Sequence, residues 1–204
     1  MKNPEKWKKN HDRPFSVDMI NEGSIDGGGP MRDIISNICE ELTSSILPLL
    51  LPTANNLARV EPSMDCYKLN PDSKEPHMLE KFTHLGYFLG WSLRSKGSIA
   101  IDLPLCVWRR ICQGRRNYVY TLKDLRELDV FRADMLLMIK QHGQELGSEE
   151  EFASYYDGYT FEVSLGDDKT IELCPCGSSI ALTRDNSAEF VDLFLKHYTE
   201  QDAV

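Results

Sequence analysis

The sequence predicts a mainly helical α+β protein built as two bodies, and three observations carry that expectation. Apolar residues recur at helical spacing over long stretches, most clearly in 75–97, where Met78, Leu79, Phe82, Leu85, Leu89 and Leu93 fall along one rod. Strand-like alternation is confined to short runs; the best is 159–165, followed across Gly166-Asp167-Asp168 by 170–173, a hairpin pattern. Finally, the character changes at Asp129. The helix after it carries five consecutive apolar residues, Met135 to Ile139, which must point around most of its circumference. These observations divide the chain into a tail (1–13), a larger helical body (14–128) and a smaller α+β body (129–204).

Each element has a local reason. Residues 14–20 alternate as a strand, and the glycines of 22–29 form a turn feeding a helix with Pro30 in its first turn. No Lys-Ser or Lys-Thr follows those glycines, so they do not make a phosphate-binding loop. That helix carries Met31, Ile34, Ile35, Ile38, Cys39, Leu42 and Ile46 and is expected to run to Pro48. Residues 49–73 read as irregular, with a strand at 66–69. In the 75–97 helix, Gly86 and Gly90 stand four apart; each weakens a helix by about 1 kcal/mol, so another element is expected to pack closely there. Gly97 is its expected C-cap.

A helix from Leu105 to Gly114 comes next, and Thr121 with Asp124 forms a capping box opening another over 122–128. Asp129 closes that helix and caps its successor. Ser148 with Glu151, and Asn186 with Glu189, repeat the capping-box pattern; the last helix shows Phe190, Val191, Phe194 and Tyr198 on one side.

Composition limits the function. A 204-residue chain with 41% hydrophobic and 27% charged residues can bury a real core. A net charge of −9 argues against a nucleic-acid partner, whose phosphates need Lys and Arg; the basic runs at 1–13 and 109–116 are too short to change this. No apolar run approaches the roughly 20 residues that cross a bilayer, and the N-terminus lacks the apolar core of a secretory signal. No membrane partner is expected.

Of six cysteines, Cys39, Cys106 and Cys112 lie in apolar helical contexts and read as core residues of a reducing compartment, cytoplasmic or nuclear. Cys174-Pro-Cys176 reads as structural, with a metal half-site or a thiol redox pair as alternatives; no second ligand pair answers it. Neither a metal nor a cofactor is expected.

Four motifs in order then resemble one family. Glu22 to Asp33 (EGSIDGGGPMRD) resembles the E-x-x-x-D-x-G-G-x-x-R-[ED] signature of HECT ubiquitin ligases, and Phe82 to Gly90 (FTHLGYFLG) is similar to the family's F-x-x-[IL]-G-x-x-x-G helix. Leu125 with Glu127-Leu128-Asp129, and the stretch from Thr183 to Val191, fall in family order, and Cys39-Glu40-Glu41-Leu42 with Asp65-Cys66-Tyr67 is similar to the HERC-like subgroup.

This resemblance implies a HECT N-lobe: a large helical subdomain and a small α+β subdomain that docks the ubiquitin-charged E2 enzyme. It implies a groove built by Leu136 and Ile139 on the helix after Asp129, with Met135 and His142 beside them, Tyr159 from a strand and Phe190 as a late aromatic. The expected partners are an E2 and ubiquitin, with protein substrates held by other regions and self-association of the large body through exposed apolar surface. The family's catalytic cysteine lies in a C-terminal lobe in a Thr-Cys context that none of the six cysteines matches, so no catalytic residue is assigned here. Tyr67 falls near a region that some family members use to hold ubiquitin. Two alternatives stay open: Phe190 and Tyr159 as core residues, and a non-catalytic module that competes for E2 or partner proteins.

Overall fold

A computed structural model describes residues 15, 17, 29–95, 97–114, 118–164 and 170–201. The expected strand at 14–20 and the glycine turn at 22–28 fall almost wholly outside these residues. The described chain forms two compact units. One holds the residues up to Pro52 together with Cys66–Leu103; the other holds Thr53–Asp65 and the residues from Pro104 onward.

In the first unit, helix α1 (Gly29–Leu42) buries Met31, Ile35, Cys39 and Leu42, the i, i+4, i+8, i+11 stripe of an amphipathic helix. It stops six residues before Pro48. The Thr43 hydroxyl donates to the Cys39 carbonyl and the Ser44 hydroxyl to the Glu41 carbonyl, so side chains compete with the backbone ladder. Ile46, expected on the buried stripe, is therefore exposed. Strands β1 (Leu50–Pro52) and β2 (Tyr67–Leu69) pair antiparallel, Leu51 opposite Lys68. Asn70 and Ser73 both donate to the Pro48 carbonyl, at 2.8 and 2.6 Å, which fixes the turn beside them.

Helix α3 (Pro76–Ser95) is the longest described element, and only part of the expected stripe, Met78, Leu85 and Leu89, turns inward. Met78, Leu85, Phe88, Leu89 and Trp91 are buried, whereas Leu79 and Leu93 are exposed. The close packing expected at Gly86 and Gly90 is not found among the described residues. A methyl at Gly86 would meet nothing within 4 Å, and one at Gly90 only the Arg94 guanidinium. Past the helix, the Gly97 N–H donates to the Ser92 carbonyl.

The second unit begins with helix α2 (Ala54–Ala58), capped by Thr53, whose hydroxyl accepts from the Asn56 N–H. Helices α4 (Leu105–Gln113), α5 (Leu122–Leu128), α6 (Val130–Glu145), α7 (Glu149–Tyr156) and α8 (Ser187–Gln201) follow, with a hairpin of β3 (Glu162–Ser164) and β4 (Thr170–Glu172) and a 3₁₀ turn at Gly177–Ser179 before α8. The Thr121–Asp124 capping box is complete, and Asp129 both ends α5 and caps α6. Ser148 caps α7 through the Glu151 N–H. Asn186 does not form the expected box with Glu189: its side chain accepts from the Thr183 N–H and donates to the Ala181 carbonyl, bracing the loop instead. The hairpin register sets Val163 opposite Ile171. A side chain at Gly177 would drive into the Phe161 carbonyl, so only glycine lets the 3₁₀ turn lie against that strand.

The compact units part differently from the expected 14–128 and 129–204. Residues 53–65 and 104–128 belong with the second unit because Leu125 is buried in one cluster with Leu136, Ile139, Phe152, Phe190 and Phe194. Asn55 fastens them further. Its side-chain amide donates to the carbonyls of Pro62 (2.8 Å) and Arg126 (2.9 Å), and its oxygen accepts from the Val130 N–H (2.7 Å).

Candidate docking site

The site is set by the phase of α6. The Asp129 carboxylate accepts from the Arg132 N–H at 3.0 Å, which starts the helix at Val130 and fixes which residues turn inward. Val130, Ala133, Leu136 and Ile139 are the buried set, spaced by three. The five-residue apolar run does cover more than one face, as expected: Met135 is half-buried against the core and Met138 is 51% exposed.

Three of the expected groove residues do not line an opening. Leu136 and Ile139 are 0% exposed and Phe190 is 2% exposed, all in one core cluster. The reason is that α7 and α8 both close over that face of α6. Phe190 meets Phe161 edge to face with ring centres 5.4 Å apart, and Phe152 and Tyr156 join the same cluster. At Gly143 the approach is so tight that a methyl would collide with Ser187 at the start of α8.

The remaining three, Met135, His142 and Tyr159, lie at or near the surface with two residues that the sequence did not single out. Met138 and His142 are four apart on α6 and so share a face. The His142 ring centre is 4.8 Å from Tyr155 and 5.7 Å from Tyr156; Tyr156 stands 5.9 Å from Tyr159, edge to face. Tyr155 is 58% exposed and Tyr159 47%. The Tyr156 hydroxyl lies 2.9 Å from His142 Nδ1. Burial first, then the neighbouring Tyr159 and Tyr155, push the Tyr156 phenol above its ordinary value. The result is a chain of rings with wet outer edges, flanked on α7 by Glu149, Glu150 and Glu151.

Such a surface can hold a partner, and none of the six cysteines is among its residues. Cys39 and Cys106 are buried, and burial pushes both thiols up, with Glu127 and Asp124 adding to the effect at Cys106; a nucleophilic cysteine needs the opposite. Cys112, expected in the core, is exposed, because it sits on the outer side of the last turn of α4. Cys174 and Cys176 are free thiols. Among the described residues no group of three or more His, Cys, Asp or Glu side chains gathers as a metal site, and no helix is long and apolar enough to cross a membrane. The first unit has an apolar hollow of about 150 Å³ lined by Ile38, Leu42, Leu49, Leu85 and Phe88, with Glu41, Lys81 and His84 also on its walls. It is smaller than the roughly 300–1,000 Å³ of ordinary small-molecule sites.

Residues 36–203 match the family described as HECT-domain (ubiquitin-transferase). The chain is 30% identical over 185 residues, 91% of its length, to the E3 ubiquitin-protein ligase HERC2 of Mus musculus, and likewise to that of Homo sapiens. It is 24% identical over 205 residues, 94% of its length, to the probable E3 ubiquitin-protein ligase HUL4 of Eremothecium gossypii. It spans 4% of the length of either HERC2 protein and 22% of HUL4. With the motif order, the mainly helical α+β fold and a profile match over most of its length, this chain belongs to the HECT-domain family of ubiquitin transferases.

Proposed function

We propose that this chain is the part of a HECT-type ubiquitin ligase that docks a ubiquitin-charged E2, handing the ubiquitin to a cysteine on other polypeptide. The docking surface is the outward strip of the second unit: Met138 and His142 on α6, Tyr155 on α7, and Tyr159 just beyond it. The observation that carries the reading is that Met138, Tyr155 and Tyr159 are exposed around the half-buried His142 and the buried Tyr156 ring, beside a core already closed by Leu136, Ile139 and Phe190. Contiguous exposed aromatics and methionine are the groups that protein interfaces favour at their centres. The glutamates of α7 add a field suited to a partner with basic side chains at its rim.

The test is titration of an E2 carrying a non-hydrolysable ubiquitin against the wild-type chain and against Met138→Asp. Met138 is half outside the core, so the variant keeps its fold, checked by circular dichroism. Binding by the wild type and its loss in the variant support the surface; equal binding by both removes it.

A further inference from the structure

We propose that Tyr155 is a phosphorylation site for an ATP-dependent tyrosine kinase that favours acidic substrates, and that its modification weakens docking on the α6–α7 strip. The second half rests on the docking reading; the first does not.

Tyr155 is the most exposed tyrosine among the described residues. Its ring is backed by His142 and Tyr156, which hold it out from the surface, while the hydroxyl of Tyr156 is engaged by His142. The sequence around it is acidic on both sides, with Glu149, Glu150 and Glu151 before it and Asp157 after it. Glu151 lies one helical turn earlier and therefore on the same face, so a basic kinase groove that reaches the phenol meets this carboxylate as well. Tyr155 also sits in the final turn of α7, where the backbone frays most readily. Tyr159 is the weaker target. Its N–H is held by the Tyr156 carbonyl, and its own carbonyl accepts from Leu182, so the backbone is tied on both sides.

In the step itself, the phenolic oxygen of Tyr155 attacks the γ-phosphorus of ATP and forms the new oxygen–phosphorus bond. The bond from that phosphorus to the bridging oxygen breaks, and ADP leaves with the electron pair. The phenolic proton passes to the kinase's carboxylate base. The added group carries nearly two negative charges and sits at the negative end of the helix dipole, one turn from Glu151 and two residues from Asp157. Like charges then loosen the last turn of α7, and a docking partner must strip water from a dianion in an otherwise apolar strip.

The chain is incubated with a recombinant tyrosine kinase domain of acidic preference and ATP, and phosphopeptides are mapped by mass spectrometry. The product, at full stoichiometry by intact mass, is then titrated with the ubiquitin-loaded E2, before and after treatment with a tyrosine phosphatase. The expected results are label concentrated on Tyr155 and absent from Tyr155→Phe, and affinity lowered about tenfold or more and restored by the phosphatase. Absence of label at Tyr155 overturns the site. Label with unchanged affinity overturns the regulation but leaves the docking surface standing. Label on a chain that never binds the E2, even unmodified, refutes the docking reading and the regulation with it, and upholds the site.

Discussion

The Tyr156 hydroxyl meets Nδ1 of His142 at 2.9 Å, and this bond ties the outer face of α6 to the last turn of α7. Tyr156 is buried and His142 half-buried, so the bond is shielded from water yet lies at the edge of the exposed strip. Tyr156→Phe removes only the hydroxyl and keeps the ring in its cluster with Phe152. It should cost about 1 kcal/mol in urea unfolding with the slope unchanged. No loss of stability would mean that the bond is broken in solution.

A larger penalty is expected at Asn55, where one buried side chain makes three hydrogen bonds, to Pro62, Arg126 and Val130. Asn55→Leu strands two carbonyls and the first N–H of α6. The expected loss is about 3 kcal/mol or more, since each buried polar group left unpaired costs roughly 1–3 kcal/mol. Denaturant unfolding measures it, and a loss below about 1 kcal/mol would show that water replaces the amide.

Asp124 predicts a pH dependence. Burial by itself would raise its carboxyl, but this is outweighed by the Tyr118 hydroxyl nearby, short of regular hydrogen-bond geometry, by the bonds from Thr121 and by the Arg109 guanidinium at 3.0 Å. The net effect holds the carboxyl below the ordinary carboxylate range. A group depressed in the folded state stabilises fully above its unfolded pKa of about 4, and that contribution is lost as pH falls through the lower, native value. Between pH 6 and pH 3 the wild type should therefore lose more stability than Asp124→Asn, by circular dichroism in denaturant series. Parallel losses would remove Asp124 from the acid sensitivity.

The first unit predicts self-association. Leu79 and Leu93 are exposed on α3, with Gly86 bare between them. Sedimentation velocity should show reversible association at high concentration, reduced in Leu93→Glu. A monomer at every concentration would contradict it.

How far the sequence could be read follows from where its signals were local. Capping at Thr121, Asp129 and Ser148 needs only near neighbours, and all three residues cap their helices, although at Ser148 the Glu151 carboxylate accepts from the Gly147 N–H instead of completing the box. The hairpin register follows from alternation and a turn. The inner face of α3 was not legible, because Phe88 and Trp91 compete with Leu79 and Leu93 for one apolar side, and tertiary packing alone decides between them. The same competition decides which of the expected groove residues are buried. A run from Met135 to Ile139 shows that two faces are apolar without saying which one the core takes. The Asp129 cap held the missing information: counting from it, Val130, Ala133, Leu136 and Ile139 turn inward together, leaving Met138 outside. Tyr155 was hidden by its neighbour, since nothing in a Tyr-Tyr pair marks which ring is buried. Asn55 could not be found at all, because its partners lie up to 75 residues away.

The most direct measurement is titration of the ubiquitin-loaded E2 against three chains: wild type, Met138→Asp on the strip, and Leu137→Asp on a different exposed side of α6. The account predicts that the first and third bind alike while Met138→Asp loses affinity about tenfold or more, with all three equally folded. Full binding by Met138→Asp, or a greater loss in Leu137→Asp, would contradict it.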